Sequence, residues 1–177
     1  MQNKAKKILI VVDMQNDFIT GALGSKEAEQ IVPRVCGKIK AFDGEVLFTQ
    51  DTHGGDYLET REGKSLPVTH CVKGSWGWEL EPRVEALRRT MPIEKTTFGS
   101  KALGDVLYAR NRYDGAVDEV ELVGLCTDIC VISNALLLKA FLPETVIRVD
   151  ASCCAGVTPE RHQIALDAMR ACQIEVC

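Results

Sequence analysis

The sequence of 177 residues has no apolar run long enough to cross a membrane, and its basic residues are scattered apart from Lys4, Lys6 and Lys7. The first apolar run covers only residues 8–12 and ends at Asp13, so we expect neither a signal peptide nor a membrane anchor. The formal net charge is −4, a mild acidity that does not favour nucleic acid or anionic membranes as partners. We therefore expect a cytoplasmic protein with no nucleic-acid or membrane partner.

The chain also lacks internal repeats, low-complexity tracts and an interdomain linker. Apolar residues make up 46% and charged residues 26%, which is typical of a folded globular domain. We predict a single domain over residues 1–177, and a chain of this length buries roughly 70% of its unfolded surface. The eight cysteines are expected to be thiols rather than disulfides, because the expected compartment is reducing.

Four aliphatic runs predict strands buried on both faces, as in a parallel sheet; they span residues 8–12, 45–49, 118–124 and 145–149. Segments with helical spacing occupy residues 28–42, 101–110, 128–142 and 159–172. Strands that alternate with helices predict a doubly wound α/β fold. The stretch 54–77 has no sustained period and is rich in glycine, proline and charge, and so long a loop in a compact domain is usually functional.

Candidate catalytic residues follow the predicted strands, at the sheet edge where open α/β folds bind ligands. Asp13 comes after five aliphatic residues, and it is either a general base or the cap of a turn. Cys130 lies in the first turns of an apolar helix, a position that can lower the pKa of a thiol. A buried structural cysteine is the alternative for Cys130, and a lysine such as Lys95 is ordinarily a solvated surface group.

A possible metal site is indicated by histidine, of which the chain has only three. Asp51 and His53 are two residues apart, on one side of an extended chain, and His70 lies at the far end of the long loop. Two histidines and one carboxylate leave coordination positions open, which is typical of a catalytic metal site. The spacing by itself leaves open that the three residues are unrelated.

Five segments, taken together and in order, resemble the isochorismatase-like cysteine hydrolases, and within them the nicotinamidase branch. They are residues 12–18 (VDMQNDF), 51–53 (DTH), 70–74 (HCVKG), 94–95 (EK) and 124–131 (GLCTDICV). Each segment is weak evidence alone, whereas the ordered set is specific and spans nearly the whole chain. The resemblance implies a mainly parallel six-stranded sheet with helices on both faces, and commonly a dimer or larger assembly, so we expect a homo-oligomer.

In that family an Asp, a Lys and a Cys form the catalytic triad, which implies Asp13, Lys95 and Cys130 here. The resemblance also implies a cis peptide between Leu125 and Cys126. We expect this turn to aim the N–H groups of Cys126 and Cys130 at one point, as an oxyanion hole for a tetrahedral intermediate.

The resemblance further implies a divalent metal, often zinc, held by Asp51, His53 and His70. Two departures from the family pattern concern this region: residues 54–59 contain no further histidine, and Pro67 stands where a tryptophan often stacks on the substrate ring. We predict an aromatic substrate pocket that is formed instead by Phe18 and Phe98, with Tyr57, Trp76 or Trp78 as replacements; ordinary packing is the alternative for these side chains.

These features predict an amide hydrolase that converts a small aromatic amide such as nicotinamide to its acid and ammonia through a cysteine thioester. The alternative is a cysteine hydrolase of another small amide, such as a carbamoyl or ureido compound. A vinyl-ether hydrolase of the isochorismatase kind is disfavoured because those enzymes lack the nucleophilic cysteine. A non-catalytic binding module is disfavoured because Asp13, Lys95 and Cys130 are all present.

Overall fold

Six parallel strands form one sheet in the computed structural model, which describes residues 5–177. The strands are β1 (Lys7–Val12), β2 (Glu45–Asp51), β3 (Ile93–Lys95), β4 (Glu119–Leu125), β5 (Val146–Ala155) and β6 (Glu175–Val176). Their order is β3-β2-β1-β4-β5-β6, and each neighbouring pair is parallel. The predicted doubly wound α/β fold is confirmed, while residues 1–4 of the predicted domain, including Lys4, lie outside the described residues.

Helices cover both faces of the sheet, as the buried strands require. They are α1 (Asn16–Ile19), α2 (Lys26–Ala41), α3 (Arg61–Ser65), α4 (Pro82–Glu85), α5 (Lys101–Tyr113), α6 (Ile132–Phe141) and α7 (Pro159–Ala171). Alternate residues of β1 enter different cores: Leu9 and Val11 pack with α2, whereas Ile8 and Ile10 pack with α5, α6 and α7. None of the helices between residues 5 and 177 has the length and apolar character needed to span a membrane.

The element boundaries differ from the prediction where the hydrophobic pattern changes. β5 extends to Ala155, beyond the predicted end at residue 149. The prediction ended too early because polar Asp150 and Ser152 interrupt the apolar run of the strand. The predicted helix 128–142 begins with a π-helical turn, Thr127–Val131, before α6. The long loop contains a 3-10 turn, Tyr57–Glu59, as well as α3. The strands β3 and β6 are too short to produce a hydrophobic pattern.

The parallel arrangement brings the polar strand ends to one edge of the sheet. Asp13 follows β1 directly, and Asp51 and Lys95 are the last residues of β2 and β3, where they are register partners. The turn that carries Cys130 follows β4. Gly124 allows the end of β4 to lie close to the end of β1, since its φ is +118° and a Cβ atom there would lie 2.1 Å from the carbonyl oxygen of Val12.

Candidate active site

Asp13, Lys95 and Cys130 lie together at the carboxyl edge of the sheet. The Nζ atom of Lys95 is 2.7 Å from Asp13 Oδ2 and 3.4 Å from Cys130 Sγ. The hydroxyl of Thr49 donates a hydrogen bond of 2.6 Å to the other Asp13 oxygen, and all three predicted residues are buried. The structure therefore brings together a carboxylate, an ammonium and a thiol from three separate segments.

The electrostatics of this group differ from the expectation for Cys130. Burial raises the pKa of the Cys130 thiol well above its ordinary value; the nearby Asp13 carboxylate adds to this rise, and Lys95 opposes it. The expectation of a lowered pKa from the helix N-terminus is wrong here, because desolvation of a fully buried thiol dominates. Burial also raises the pKa of Asp13, against the effect of Lys95. The resting thiol is protonated, so a nucleophilic reaction needs a base beside it.

Lys95 stays charged in this buried position. Burial alone would lower the pKa of its ammonium, but the negative charges of the Asp13 and Asp51 carboxylates raise that pKa above the ordinary lysine value. A buried cation of this kind is stable only while its anionic partners remain. Lys95 is thus a fixed positive charge between a carboxylate and the thiol, which is the opposite of a solvated surface lysine.

The turn Thr127–Val131, here called the nucleophile turn, holds Cys130 at the edge of the cavity. The carbonyl oxygen of Cys126 accepts hydrogen bonds of 3.0 Å from the N–H groups of Ile129 and Val131. The peptide bond between Leu125 and Cys126 is cis, as the resemblance implies. The oxyanion role of the Cys126 and Cys130 N–H groups stays a prediction.

The predicted metal ligands lie next to this group, and a fourth residue joins them. Asp51, His53 and His70 cluster with Glu62 of α3, and each offers a ligand atom within 4.8 Å of the others. The backbone N–H group of His53 donates a hydrogen bond to the carbonyl oxygen of Cys71, which attaches the His70 segment to the end of β2. Two imidazoles and two carboxylates form a donor set that divalent zinc and similar metals accept, so the residues present fit such a metal.

Surrounding residues orient these ligands. The side chain of Gln15 accepts a hydrogen bond of 2.7 Å from Asp51 N and donates one of 2.8 Å to Asp51 O, and so holds the Asp51 backbone from both sides. The Nδ1 atom of His70 lies 2.8 Å from the carbonyl oxygen of Val68. Because a carbonyl can only accept, Nδ1 carries the hydrogen and Nε2 is left to face the cluster.

Glu62 is the site residue that sequence reasoning missed. It lies within the loop 54–77, which was expected to be functional, but no spacing distinguishes it from its exposed neighbour Glu59. The folding of residues 61–65 as α3 directs this carboxylate to the two histidines. Its Oε1 atom is 3.7 Å from His53 Nε2 and 3.8 Å from His70 Nε2.

A cavity of about 1040 Å³ opens above the thiol and the metal-site cluster. Phe18 and Phe98 line it together with Leu66, Cys126 and Cys130. Phe18 packs edge-on against His70 with ring centroids 5.5 Å apart. The two phenylalanines are therefore placed as the prediction requires.

The structure corrects the other predicted pocket aromatics. Trp76 is absent from the residues that line the cavity; it is 58% exposed, and its backbone carbonyl oxygen accepts a hydrogen bond from the Asn16 side chain. Tyr57 is buried behind the cluster, with its ring 4.6 Å from His53 and 4.9 Å from His70, and its hydroxyl donates to Leu66 O. Trp78 donates its indole N–H to the Thr52 hydroxyl. These contacts support the ligand residues and leave the walls to the phenylalanines.

The fold and the site define a hydrolase with an open α/β sheet, whose reactive groups lie at the carboxyl ends of parallel strands. The chain belongs to the isochorismatase family, whose isochorismatase domain matches residues 7–177. A curated relative, the nicotinamidase/pyrazinamidase of Mycobacterium tuberculosis, is 28% identical over 96% of this chain and 97% of its own length.

Solved structures agree with this assignment. A nicotinamidase/pyrazinamidase from Bacillus subtilis superposes with a TM-score of 0.81 at 30% identity, covering 97% of this chain and 99% of that one. A pyrazinamidase from Pyrococcus horikoshii, solved in complex with zinc, has a TM-score of 0.77 at 25% identity over 97% and 98% of the two chains. Within the family the chain falls in the nicotinamidase branch, and it is a hydrolase of carbon–nitrogen bonds other than peptide bonds.

Proposed function

We propose that this chain converts a small aromatic amide such as nicotinamide to its acid and ammonia through a thioester on Cys130. The observation that carries the proposal is the buried ammonium of Lys95, 2.7 Å from Asp13 and 3.4 Å from Cys130. A packing role would not need a charge among these groups, because a buried ion costs free energy unless it is paired. The nicotinamidases among the relatives supply the choice of substrate.

The first half-reaction starts from the protonated thiol. Asp13 takes the Cys130 proton, and the thiolate attacks the amide carbonyl carbon while Lys95 keeps the local charge balanced. The negative charge that develops on the carbonyl oxygen is stabilised by the N–H groups of Cys126 and Cys130, at about 3 kcal/mol per donor in comparable sites. Asp13 then gives its proton to the leaving nitrogen, the carbon–nitrogen bond breaks, and ammonia departs.

The second half-reaction uses the same base. Asp13 removes a proton from water, the resulting hydroxide attacks the thioester carbonyl carbon, and the carbon–sulfur bond breaks. The proton held by Asp13 returns to the Cys130 thiolate. The acid is released and both residues regain their starting states.

Asp51, His53, Glu62 and His70 would hold a divalent metal, which we propose is zinc. When bound, such a metal supplies a Lewis-acid position for a ring nitrogen of the substrate or its water, and so orients the amide. The zinc complex of the Pyrococcus horikoshii pyrazinamidase supports this choice. The chain's own contribution is the preset arrangement of these ligands, in which Gln15 holds Asp51 and the carbonyl oxygen of Val68 holds His70.

Hydrolysis of another small amide is the second candidate. Pro67 stands where the family resemblance implies a stacking tryptophan, and Phe98, one of the two wall aromatics, is 45% exposed. A wall this open encloses a flat ring incompletely. A carbamoyl or ureido compound would need the same three catalytic groups and a less aromatic pocket.

Ammonia release from nicotinamide, pyrazinamide and carbamoyl or ureido amides separates these candidates. We expect turnover of nicotinamide by the purified protein and none by Cys130→Ala. Cys36→Ala is a matched control, because Cys36 is a buried cysteine of α2 on the other face of the sheet from Cys130 and should retain turnover. Turnover of the carbamoyl or ureido amides alone would favour the second candidate, and no turnover of any amide would reject the proposal.

The remaining expectations stay predictions. They are a single domain over residues 1–177, a cytoplasmic location, assembly into a homo-oligomer, and the absence of nucleic-acid and membrane partners. Light scattering coupled to gel filtration tests the assembly directly.

A further inference from the structure

His162 is the one histidine of the chain that the proposed metal site does not use. It lies on α7, and its Nδ1 atom is 2.8 Å from the hydroxyl oxygen of Thr127, the first residue of the nucleophile turn. Thr127 is fully buried and His162 is partly buried. We propose that His162 is a positioning residue, which holds the nucleophile turn in its reactive geometry through Thr127.

A second contact between the same two elements supports this role. The next residue of the turn, Asp128, accepts a hydrogen bond of 3.0 Å at Oδ1 from the N–H group of Val157, just before α7. Gly156 allows the close approach, because a Cβ atom there would lie 2.9 Å from the Cα atom of His162 and 3.0 Å from Asp128 Oδ1. The turn is therefore docked on the beginning of α7 at two consecutive residues.

The other end of the turn has a separate attachment. The Asn134 side chain donates hydrogen bonds of 2.8 Å to Cys130 O and 3.1 Å to Phe98 O. Cys130 thus lies between an anchor on α6 and the His162 anchor on α7. Loss of the Thr127 contact removes one of the two attachments at the end of the turn next to Cys126, and leaves the Asp128 contact and the Asn134 anchor at the Cys130 end.

The bond is directional, and its chemistry identifies a conservative replacement. Burial lowers the pKa of His162, so its imidazole is neutral near pH 7 and Nδ1 can accept the Thr127 hydroxyl hydrogen. Nδ1 is bonded directly to the Cγ atom of histidine, so the side-chain amide of asparagine reaches the same position. Leucine keeps much of the volume and removes the acceptor. Asparagine should therefore preserve the contact and leucine should abolish it.

Steady-state kinetics on nicotinamide give the first readout, and this readout alone rests on the proposed function. We expect His162→Leu to lower kcat about tenfold with little change in KM, because a small displacement of reacting groups is costly while the pocket walls are untouched. His162→Asn should restore kcat to within about twofold of wild type, and Thr127→Val combined with His162→Leu should be no worse than either alone. Gln163→Leu, an exposed neighbour on the same helix, is the matched control and should not change kcat.

Alkylation of Cys130 by iodoacetamide gives a readout that needs no turnover. Cys130 is only 4% exposed, so a loosened turn should raise its labelling rate roughly threefold or more in His162→Leu, while buried Cys36 and Cys154 keep their rates. Mass spectrometry of the separate peptides measures all three. If the wild type hydrolyses no amide, the proposed function fails and this labelling pattern still tests the anchor. Unchanged Cys130 labelling in His162→Leu, or an asparagine variant that behaves like the leucine variant, would overturn the inference.

Discussion

Lys95 Nζ lies 2.9 Å from Asp51 Oδ1, so a residue of the proposed triad is ion-paired with a residue of the metal-site cluster. The same ammonium is 2.7 Å from Asp13. Burial would raise the pKa of Asp51, but its contacts with His53 and Lys95 lower that pKa below its ordinary value. The acid–base group and the metal ligands therefore share one buried cation.

Replacement of Lys95 by methionine should abolish turnover and destabilise the fold. The substitution leaves two buried carboxylates without their common cation, and breaking a buried ion pair costs about 3–5 kcal/mol of unfolding free energy. We expect loss of turnover and a lower midpoint in urea unfolding. Lys73→Met is the matched control, since Lys73 makes an exposed pair of 2.6 Å with Glu94 and should cost less than about 1 kcal/mol. Equal losses in the two variants would contradict the structural assignment.

Asp13→Asn should lose turnover by about 10²- to 10⁴-fold in kcat, because the amide cannot accept the thiol proton or return it to the leaving nitrogen. Cys130→Ala should be at least as severe, and the double variant should be no worse, since a base without a nucleophile has nothing to activate. Asp118→Asn, at the opposite end of the sheet, is the control. An Asp13→Asn enzyme with normal kcat and a lowered thermal midpoint would instead identify Asp13 as a structural residue.

Glu62→Gln should weaken metal binding while leaving Cys130 and Asp13 in place. The purified protein is expected to bind about one divalent metal per chain, and loss of one carboxylate ligand should reduce the metal retained after dialysis. Elemental analysis of the dialysed protein measures this. Glu59→Gln, an exposed carboxylate three residues earlier, provides the matched comparison. The same metal content in both variants would exclude Glu62 from the site.

The pH dependence should follow the raised pKa of Asp13. The base must be ionised to accept a proton, so kcat/KM should rise with pH along a limb that lies above the ordinary value of 3.8. The raised pKa of Lys95 predicts no alkaline loss from this group below its ordinary value of 10.5. A pH–rate profile from pH 4 to 10 tests both limbs, and kcat/KM that falls as pH rises from 5 to 8 would refute the role of Asp13.

The stability of the wild type should fall as pH rises, in contrast to kcat/KM. A raised pKa means that the folded protein binds more protons than the unfolded chain between 3.8 and the raised value, so Asp13 destabilises the wild type as pH rises through that window. Asp13→Asn does not titrate. The thermal midpoint of the variant relative to wild type should therefore increase with pH, and a difference that decreases would show that burial does not raise this pKa.

The local sequence pattern was sufficient to predict the parallel sheet of this protein and the edge of the sheet that carries the site. The aliphatic run of β1 predicts a strand buried on both faces, and a carboxylate directly after it predicts Asp13 at the functional edge. Such inferences succeed because burial on both faces shows in the local sequence of a strand, and any set of parallel strands brings its carboxyl ends to one edge of the sheet. The ordered segments around Asp51, Lys95 and Cys130 indicated the family to which the chain belongs.

Only the tertiary structure decided what surrounds those residues. Glu62 joins the metal-site cluster and Trp76 turns to solvent because the loop 54–77 is placed by long-range contacts, such as the hydrogen bonds from Cys71 N to Asp17 Oδ2 and from the Asn16 side chain to Trp76 O. The pKa of Cys130 is raised because desolvation depends on every neighbour, not on helix position. The bond between His162 and Thr127 joins residues 35 positions apart. None of these relations has a period or spacing in the sequence, because each is set by how separate elements pack.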